Sequence, residues 1–287
     1  MAKVAEPLKT WDEEGTMDAI GPWSEVKLDI LKRYATEYST IISRQEGAHL
    51  RHIYIDAFAG GGRHYAKNRG EVVSGSPLRA LEVFPPFVEY HFVEKNEKKV
   101  KALKRLVPGR KDVWVHQGDC NQILFEEVFL RARFEDFARG LCFLDPYGLH
   151  LDWKVIQAAG SSRSIELFIN FPIQDINRNV LRRNPEEWDP VQEKRMTLFW
   201  GDESWKDVAV RSKSTLFGEV DEKITNDELA GAFRDRLQKV ARFPVVPRPC
   251  AMRNKNRAIV YYLFFAAHKE VAGKIVRHIF KEFGGVA

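Results

Sequence analysis

The stretch Tyr54-Ile55-Asp56-Ala57-Phe58-Ala59-Gly60-Gly61-Gly62 decides the fold. An apolar strand that ends in an acidic residue and runs directly into glycines bends sharply and leaves room for a ligand close to the backbone. Gly60-x-Gly62 is followed by Tyr65, where the dinucleotide fingerprint has a third glycine or an alanine. Glycine-rich turns follow many strands, so the turn alone is a weak sign of a nucleotide, and the missing third glycine argues against NAD.

Short apolar runs alternate with helical patterns between residues 50 and 172, which predicts βαβ units and a parallel sheet. Each run is almost continuously apolar, as expected for a strand that is covered by helices on both faces. The fold class is therefore α/β, a doubly wound, Rossmann-like, mostly parallel sheet. The predicted strands are His52–Phe58, Tyr90–Glu94, Val113–Gln117, Leu141–Asp145 and Ile165–Phe171.

The connections between these strands carry helix signals. Ser76-Pro77 predicts an N-cap followed by proline at the first helical position, and Asn96 predicts the start of a second helix that Pro108-Gly109 ends. A third helix is predicted over Asn121–Phe137.

The alternation stops after Pro172, and residues 173–243 are predicted to be a helical insertion that includes a helix at Asp227–Val240. The strand Ala258–Ala267 is predicted to pair antiparallel with Val245–Met252, followed by a helix from Lys269 to Phe283. Residues 1–50 are predicted to be an N-terminal helical extension, with an amphipathic helix from Trp23, and residues 51–287 the Rossmann-like domain.

Composition predicts a soluble cytoplasmic protein with no membrane association. The 287 residues are 44% hydrophobic, but no uncharged apolar run approaches the roughly 20 residues that span a bilayer, and Met1–Pro7 lacks a signal-peptide core. The three cysteines show no CxxC spacing, so neither a disulfide framework nor a zinc site is indicated. A net charge of +5 weakly favours anionic partners.

The second and third predicted strands end in residues suited to adenosine. Glu94 is either a solvated strand end or an acceptor for both hydroxyls of a ribose. Asp119 either binds an adenine amino group or caps the following helix, a role that Asn121 could also serve. The candidate cofactor-binding residues are Asp56, Phe58, Gly60, Gly62, Glu94, Asp119 and Cys120.

The fourth predicted strand ends in Asp145-Pro146-Tyr147-Gly148, at the point where a doubly wound sheet reverses its strand order and opens a crevice. Asp145 and the Pro146 carbonyl can accept the protons of a planar amino group, and Tyr147 can stack on its ring. A simple turn also explains Pro-Tyr-Gly. We take Asp145, Pro146 and Tyr147 as candidate catalytic residues.

The order of these motifs resembles class I S-adenosylmethionine-dependent methyltransferases of the amino-methylating group, and more narrowly the three-Cys-motif partner protein (TcmP) family. This resemblance implies S-adenosylmethionine as cofactor, and as partner a three-Cys-motif protein that looks like a radical S-adenosylmethionine enzyme. Further segments that carry the resemblance are Trp23…Lys27-Leu28…Leu31…Tyr34, Gly75-Ser76-Pro77-Leu78, Phe143–Leu149, Asn170-Phe171-Pro172 and Tyr261–Ala266.

Two features depart from the methyltransferase pattern. Arg63–Ser74 separates the glycine turn from its helix, which predicts an insertion that forms a lid. Tyr147 stands where the amino-methylating loop has its second proline, and Gly148 has the usual place of the aromatic residue, so stacking by Tyr147 is left open.

Three hypotheses follow. The first is methyl transfer to a nitrogen acceptor, for which a nucleobase must be unpaired or flipped; Arg178, Arg182, Arg183 and Lys194 would contact its phosphates or form a solvated helix face. The second is a non-catalytic cofactor-binding scaffold for the partner protein. The third is a nuclease in which Asp56, Glu94, Asp119 and Asp145 hold Mg²⁺.

Overall fold

The computed structural model describes residues 12, 14–45, 50–181, 188–215 and 218–284. The strands are β1 (Asp18–Ile20), β2 (Arg51–Asp56), β3 (Arg63–Ala66), β4 (Glu71–Ser74), β5 (Glu89–Glu94), β6 (Val113–Gln117), β7 (Ala138–Leu144), β8 (Ile165–Phe171), β9 (Val210–Thr215), β10 (Gly218–Lys223), β11 (Cys250–Arg253) and β12 (Ile259–Ala266). The helices are α1 (Pro22–Ser43), α2 (Ser76–Leu81), α3 (Glu97–Leu106), α4 (Cys120–Ile123), α5 (Trp153–Ser162), α6 (Ile173–Asp175), α7 (Pro190–Trp200), α8 (Trp205–Ala209), α9 (Asn226–Lys239) and α10 (Glu270–Glu282).

The main sheet has seven strands in the order β11-β12-β8-β7-β2-β5-β6. The pairs of β8 with β7, β7 with β2, β2 with β5 and β5 with β6 are parallel. Strand β12 runs antiparallel to both β8 and β11. The predicted fold class is confirmed: this is a doubly wound, Rossmann-like, mostly parallel α/β sheet that ends in an antiparallel hairpin.

Two apolar clusters cover the faces of this sheet, which explains why its central strands are buried almost throughout. One cluster joins β8 and β12 to the aromatic side chains of α7 and α9, with Phe233 packed against Phe171 at a ring-centroid distance of 4.6 Å. The other joins the opposite face to α1 and α10, where Tyr34 lies 4.7 Å from Phe265 between ring centroids. The division at residue 50 stays a prediction, although α1 packs into this second cluster.

Two of the five predicted strands have the observed bounds, and the ends of the other three differ by up to three residues, the largest difference being the start of β7 at Ala138 instead of Leu141. Strands β6 and β8 have the predicted bounds, whereas β2 stops at Asp56 because the following residues form the turn. The third helix was predicted too long: α4 continues through a π-helical turn and a 3₁₀ turn only to Arg131. Phe137 has a φ of +54°, which a helix cannot contain.

The N-cap predicted at Ser76 needs a small correction, and the predicted antiparallel pairing of Val245–Met252 with Ala258–Ala267 needs a larger one. Gly75 is the N-cap of α2, and Ser76 is its first helical residue. The partner of β12 is only Cys250–Arg253, with Val245 forming a single bridge to Ala267. Pro247 and Pro249 lie between them and lack the N–H that a longer ladder requires.

The insertion after Pro172 is only partly helical. Besides α7, α8 and α9, it contains an antiparallel hairpin of β9 and β10, which the prediction of a helical insertion missed. Of the four basic residues proposed in this segment, Arg178 and Lys194 are exposed, and Arg182 and Arg183 lie outside the described residues. Phosphate contact by this segment stays a prediction.

The earlier insertion, Arg63–Ser74, forms the antiparallel hairpin of β3 and β4. Strand β1 pairs with β3 in parallel, so the segment before α1 and this hairpin build one small three-stranded sheet. Across the ranges that the structure describes, no helix is both long and apolar enough to cross a membrane. Met1–Pro7, where a signal peptide was excluded from the sequence, lies outside those ranges.

Candidate functional site

Two adjacent pockets open where the parallel strands end. Pocket A has a volume of about 210 Å³ and is lined at its floor by Ala57, Glu94, Gly118, Asp119 and Cys120. Pocket B has a volume of about 340 Å³ and includes Lys27, Asp145, Pro146 and Asn170 in its wall. Phe58 and Tyr147 line both pockets, so these two rings stand at the boundary between them.

Glu94 ties the end of β5 to the glycine turn. Its Oε2 accepts a hydrogen bond from the Gly60 N–H at 3.0 Å, and its Oε1 accepts one from the Asn96 N–H at 2.7 Å. The residue is 8% exposed, so it is not a solvated strand end. A carboxylate offers about four acceptor positions, and the two that remain fit the two hydroxyls of a ribose.

Asp119 is the N-cap of α4 and also lines pocket A, so the two readings of this residue are compatible. Its Oδ1 accepts a hydrogen bond from the Asn121 N–H at 2.9 Å. Burial raises the pKa of Asp119, but this hydrogen bond and the Lys95 ammonium outweigh it and hold the pKa below its usual value. The carboxylate therefore stays ionised and has acceptor positions left for an amino group.

Cys120 lines pocket A beside Asp119, and burial raises the pKa of its thiol to about 12. The thiolate is the nucleophilic form of cysteine. Cys120 therefore contributes a small apolar wall to the pocket and no nucleophile.

The two glycines predicted to bind the cofactor have different places. Gly60 lines pocket B and donates its N–H to Glu94. Gly62 lines neither pocket: its φ is +83°, and a Cβ there would lie 2.9 Å from Leu103 and Leu106 of α3. Gly62 therefore lets the turn reverse tightly against α3, and its role in cofactor binding stays a prediction.

Asp56 is fully buried and lines neither pocket. Its Oδ1 accepts a hydrogen bond from the Phe58 N–H at 3.2 Å, which holds the first bend of the turn. Burial raises the pKa of Asp56 to about 7, against the hydrogen bonds from Ser76 and Phe58 that lower it. Asp56 therefore shapes the backbone of the turn, and it interacts electrostatically with Asp145 and Lys27 in the wall of pocket B.

Both carboxylate oxygens of Asp145 have partners from distant parts of the chain. The Lys27 ammonium of α1 donates to Oδ2, and the Asn170 amide at the end of β8 donates to Oδ1 at 2.7 Å. Lys27 is buried, and its ammonium also lies 5.1 Å from the centre of the Tyr261 ring. The Asp145-Pro146 segment is thus fixed between α1 and β8 in the wall of pocket B.

A second polar network holds Tyr147. The Tyr147 hydroxyl donates to Asp18 of β1 at 2.6 Å, and the buried Lys99 ammonium of α3 donates to both the Tyr147 oxygen at 3.1 Å and Asp18 at 2.6 Å. Burial and the neighbouring Asp18 raise the pKa of Tyr147, so its hydroxyl stays protonated. The ring orientation is therefore set before any ligand binds.

Sequence reasoning missed Lys27, Lys99, Asp18 and Asn170 as site residues. Lys27 could have been identified from the sequence, because it falls on the same apolar face of α1 as Leu31 and Tyr34. A lone cation on a buried helix face needs a carboxylate partner. The other three had no comparable signal in the sequence.

The nuclease hypothesis requires several carboxylates to share one ion. Glu94, Asp119 and Asp145 instead take separate partners from backbone amides, lysines and Asn170. In the described part of the chain, no group of three or more His, Cys, Asp and Glu side chains is placed to hold a metal ion.

No family model and no curated protein matches this chain. Among solved structures, a Legionella pneumophila protein of the family model DUF519 is similar to it at 10% identity and a TM-score of 0.48, over 91% of this chain and 94% of that one. A candidate S-adenosylmethionine-dependent methyltransferase from Listeria monocytogenes has 12% identity, a TM-score of 0.41, and coverage of 82% and 99%. A candidate methyltransferase from Thermobifida fusca has 13% identity, a TM-score of 0.38, and coverage of 89% and 85%.

The raised pKa of Asp56 predicts a distinctive pH dependence of stability. An unfolded aspartate ionises near pH 4, whereas the folded one keeps its proton up to about pH 7. The folded state therefore binds more protons between these values, and its stability falls as pH rises through this window. We expect Asp56→Asn to change stability little at pH 4 and to raise it relative to the wild type at pH 7.5, measured by urea denaturation.

Asp119→Asn is the matched control, because the pKa of Asp119 is shifted in the opposite direction and asparagine still caps a helix. Its stability relative to the wild type should not rise at pH 7.5. An Asp56→Asn variant that shows no gain at pH 7.5 would contradict the buried, protonated state of Asp56.

Proposed function

We propose that this chain is an S-adenosylmethionine-dependent methyltransferase that acts on a nitrogen acceptor, with a nucleobase amino group as the acceptor class. The observation that carries the proposal is the pair of contiguous pockets at the carboxyl edge of the sheet, with Phe58 and Tyr147 at their boundary. Ligands of doubly wound sheets bind at this edge. Pocket A offers a site for the cofactor and pocket B a site for the acceptor.

The residues of pocket A fit the adenosine part of the cofactor. Glu94 has two acceptor positions left for the ribose hydroxyls, and Asp119 has acceptor positions left for an adenine amino group. Phe58 and the buried Cys120 supply apolar contacts for the ring. When bound, the cofactor supplies an electrophilic methyl group on a sulfonium.

The residues of pocket B would orient the acceptor. Asp145 and the Pro146 carbonyl can accept hydrogen bonds. They would accept them from the N–H groups of the amino group to be methylated, so that its nitrogen lone pair points towards pocket A. Because Lys27 and Asn170 fix the Asp145 side chain, little conformational freedom is lost when the acceptor binds. The nitrogen becomes acidic on methylation and loses its extra proton to water.

Membership of the TcmP family and association with a three-Cys-motif protein belong to the same proposal. The loop at Tyr147-Gly148, which departs from the amino-methylating pattern, favours one alternative in particular: a non-catalytic cofactor-binding scaffold for such a partner. The Tyr147 hydroxyl is held by Asp18 and Lys99, and a Cβ at Gly148 would lie 2.9 Å from Asp175. The aromatic position of the amino-methylating loop is therefore closed to a side chain. Measured turnover separates the two functions.

Glu94→Gln should weaken S-adenosylmethionine binding at least about tenfold in isothermal titration calorimetry. The amide offers one acceptor oxygen where the carboxylate offers two, and charge-assisted hydrogen bonds are the stronger ones. Glu97→Gln is the matched control, since Glu97 is exposed on α3 and pairs only with Lys101. Absence of binding by the wild type contradicts the proposal, and equal affinity of wild type and Glu94→Gln removes Glu94 from the ribose site.

Asp145→Asn should leave cofactor affinity within about twofold of the wild type and lower methyl transfer by about 100-fold. The change lies in pocket B, where it disturbs the orientation of the acceptor. The measurement is tritium transfer from methyl-labelled S-adenosylmethionine to total RNA and to single-stranded DNA. Asp207→Asn, an exposed change on α8, is the control.

An Asp145→Asn variant with undiminished turnover would remove Asp145 from the mechanism. A wild type that binds the cofactor but transfers no methyl group to RNA, DNA or a protein pool would favour the scaffold alternative.

A further inference from the structure

A third pocket, pocket C, lies between the first turns of α9 and the hairpin of β11 and β12. Its volume is about 220 Å³, and three arginines, Arg234, Arg248 and Arg253, line it together with Asp227 and Tyr262. None of these residues belongs to pocket A or pocket B. The proposed methyl transfer does not use it.

The side chains that line pocket C carry a net positive charge. Among the residues that the structure describes, Asp227 is the one carboxylate that lines pocket C, and it already accepts a hydrogen bond from the Tyr262 hydroxyl. Arg234 donates one N–H to the Val246 carbonyl at 2.7 Å, and Arg253 donates one to the Arg257 carbonyl at 2.9 Å. Over the described ranges, no ion pair joins any of the three arginines to a carboxylate.

Each guanidinium carries five N–H donors in a planar fork that matches a phosphate. One donor each is used by Arg234 and Arg253, so most of the donors of the pocket are left for a ligand. The pocket has three guanidinium groups and one carboxylate, and that carboxylate already accepts a hydrogen bond from Tyr262. This composition suits a ligand with anionic oxygen atoms.

The position of pocket C relates it to the acceptor site. Tyr261 lines pocket B and Tyr262 lines pocket C, so consecutive residues of β12 face the two pockets from opposite sides of the sheet. Tyr262 pairs with Phe171, the last residue of β8, which places both pockets at the carboxyl edge. Pockets B and C therefore lie on opposite faces of the sheet at the same edge.

The turn between β11 and β12 adds further positive charge at the same edge. Lys255 and Arg257 are exposed there, next to Arg253. A free phosphate would fill pocket C and leave these cations without a ligand, whereas a chain of phosphates would follow them. The charge pattern therefore favours a polyanion.

We propose that pocket C and the Arg253–Arg257 turn bind the phosphate backbone of a single-stranded nucleic acid that delivers a base to pocket B. The identity of the group in pocket B rests on the proposed methyl transfer, whereas phosphate binding rests on the arginines. Arginine contacts to phosphate position a nucleic acid and read no sequence. The site accordingly sets the acceptor class and the direction of the strand, and leaves base selection to pocket B.

The test uses the full chain and a fluorescein-labelled, mixed-sequence RNA of about 20 nucleotides, long enough to cover a typical single-strand site. Fluorescence anisotropy is followed between about 50 and 200 mM NaCl. We expect Arg248→Ala/Arg253→Ala to weaken binding at least tenfold. The slope of log affinity against log salt should become shallower by about 1.4, since each phosphate contact to a single strand contributes about 0.7.

Two further variants keep the result interpretable. Lys274→Ala/Lys281→Ala removes the same charge from exposed positions of α10, on the opposite face of the sheet, and should bind RNA like the wild type. Arg248→Lys/Arg253→Lys keeps the charge and should retain most of the salt slope, which ties the loss in the alanine variant to the removed charge; an unchanged urea denaturation midpoint of the alanine variant excludes misfolding.

The proposal is overturned if the Arg248→Ala/Arg253→Ala variant binds RNA as the wild type does, if the α10 control loses as much affinity, or if polyglutamate binds as tightly as RNA. DNA of the same sequence that competes with the RNA supports it. Calorimetry with S-adenosylmethionine on the same proteins separates the two claims: arginine-dependent RNA binding without cofactor binding would refute the proposed function and leave the phosphate site standing.

Discussion

The ion pair between Lys27 and Asp145 is the interaction on which the arrangement of the site depends. Its partners are 118 positions apart in the chain. Lys27 belongs to α1, which packs on one face of the main sheet, and Asp145 directly follows the last residue of β7. A buried ammonium is costly unless a counter-charge and hydrogen bonds surround it. The pair, completed by Asn170, therefore ties α1, the end of β7 and the end of β8 together at one edge. This ion pair explains why α1 contributes to the candidate site.

The segment before α1 and the Arg63–Ser74 hairpin close the same edge from another side. Asp18 of β1 holds Lys99 and Tyr147, and β1 pairs with β3 of the hairpin. A Cβ at Gly61 would lie 2.2 Å from the Thr16 carbonyl oxygen, so the chain before β1 packs directly on the glycine turn. Strand β1 and His64 of the hairpin line pocket B, so both segments form part of its wall. The insertion predicted as a lid is a part of a small sheet.

The sequence allowed the sheet to be predicted because buried parallel strands are apolar throughout and are bounded by turn residues. The strand Ile165–Phe171 is apolar except for Glu166 and Asn170 and is followed by Pro172, and its bounds were predicted correctly. The hairpin of β9 and β10 was missed because Val210–Thr215 and Gly218–Lys223 are mostly polar and carry no hydrophobic alternation. The helix after Asp119 was predicted too long because apolar residues continue past Arg131 to Phe134 and Phe137, which are exposed in the structure.

The site was predictable only where strand order brings residues together. Glu94 and Asp119 lie in one pocket because the carboxyl ends of neighbouring parallel strands meet at one edge. Asp56 and Gly62 belong to the same turn but line neither pocket, since their distance from a ligand depends on backbone geometry that spacing does not reveal. Contacts such as Lys99 to Tyr147 join distant segments and need the folded chain.

The central claim is that pocket A holds the adenosine part of S-adenosylmethionine. A crystal structure with S-adenosylhomocysteine tests it most directly. The account predicts both ribose hydroxyls in hydrogen-bond contact with the Glu94 carboxylate, the adenine beside Asp119 and Cys120, and the sulfur facing pocket B. A ligand bound away from Glu94, or with its adenine in pocket B, would contradict it.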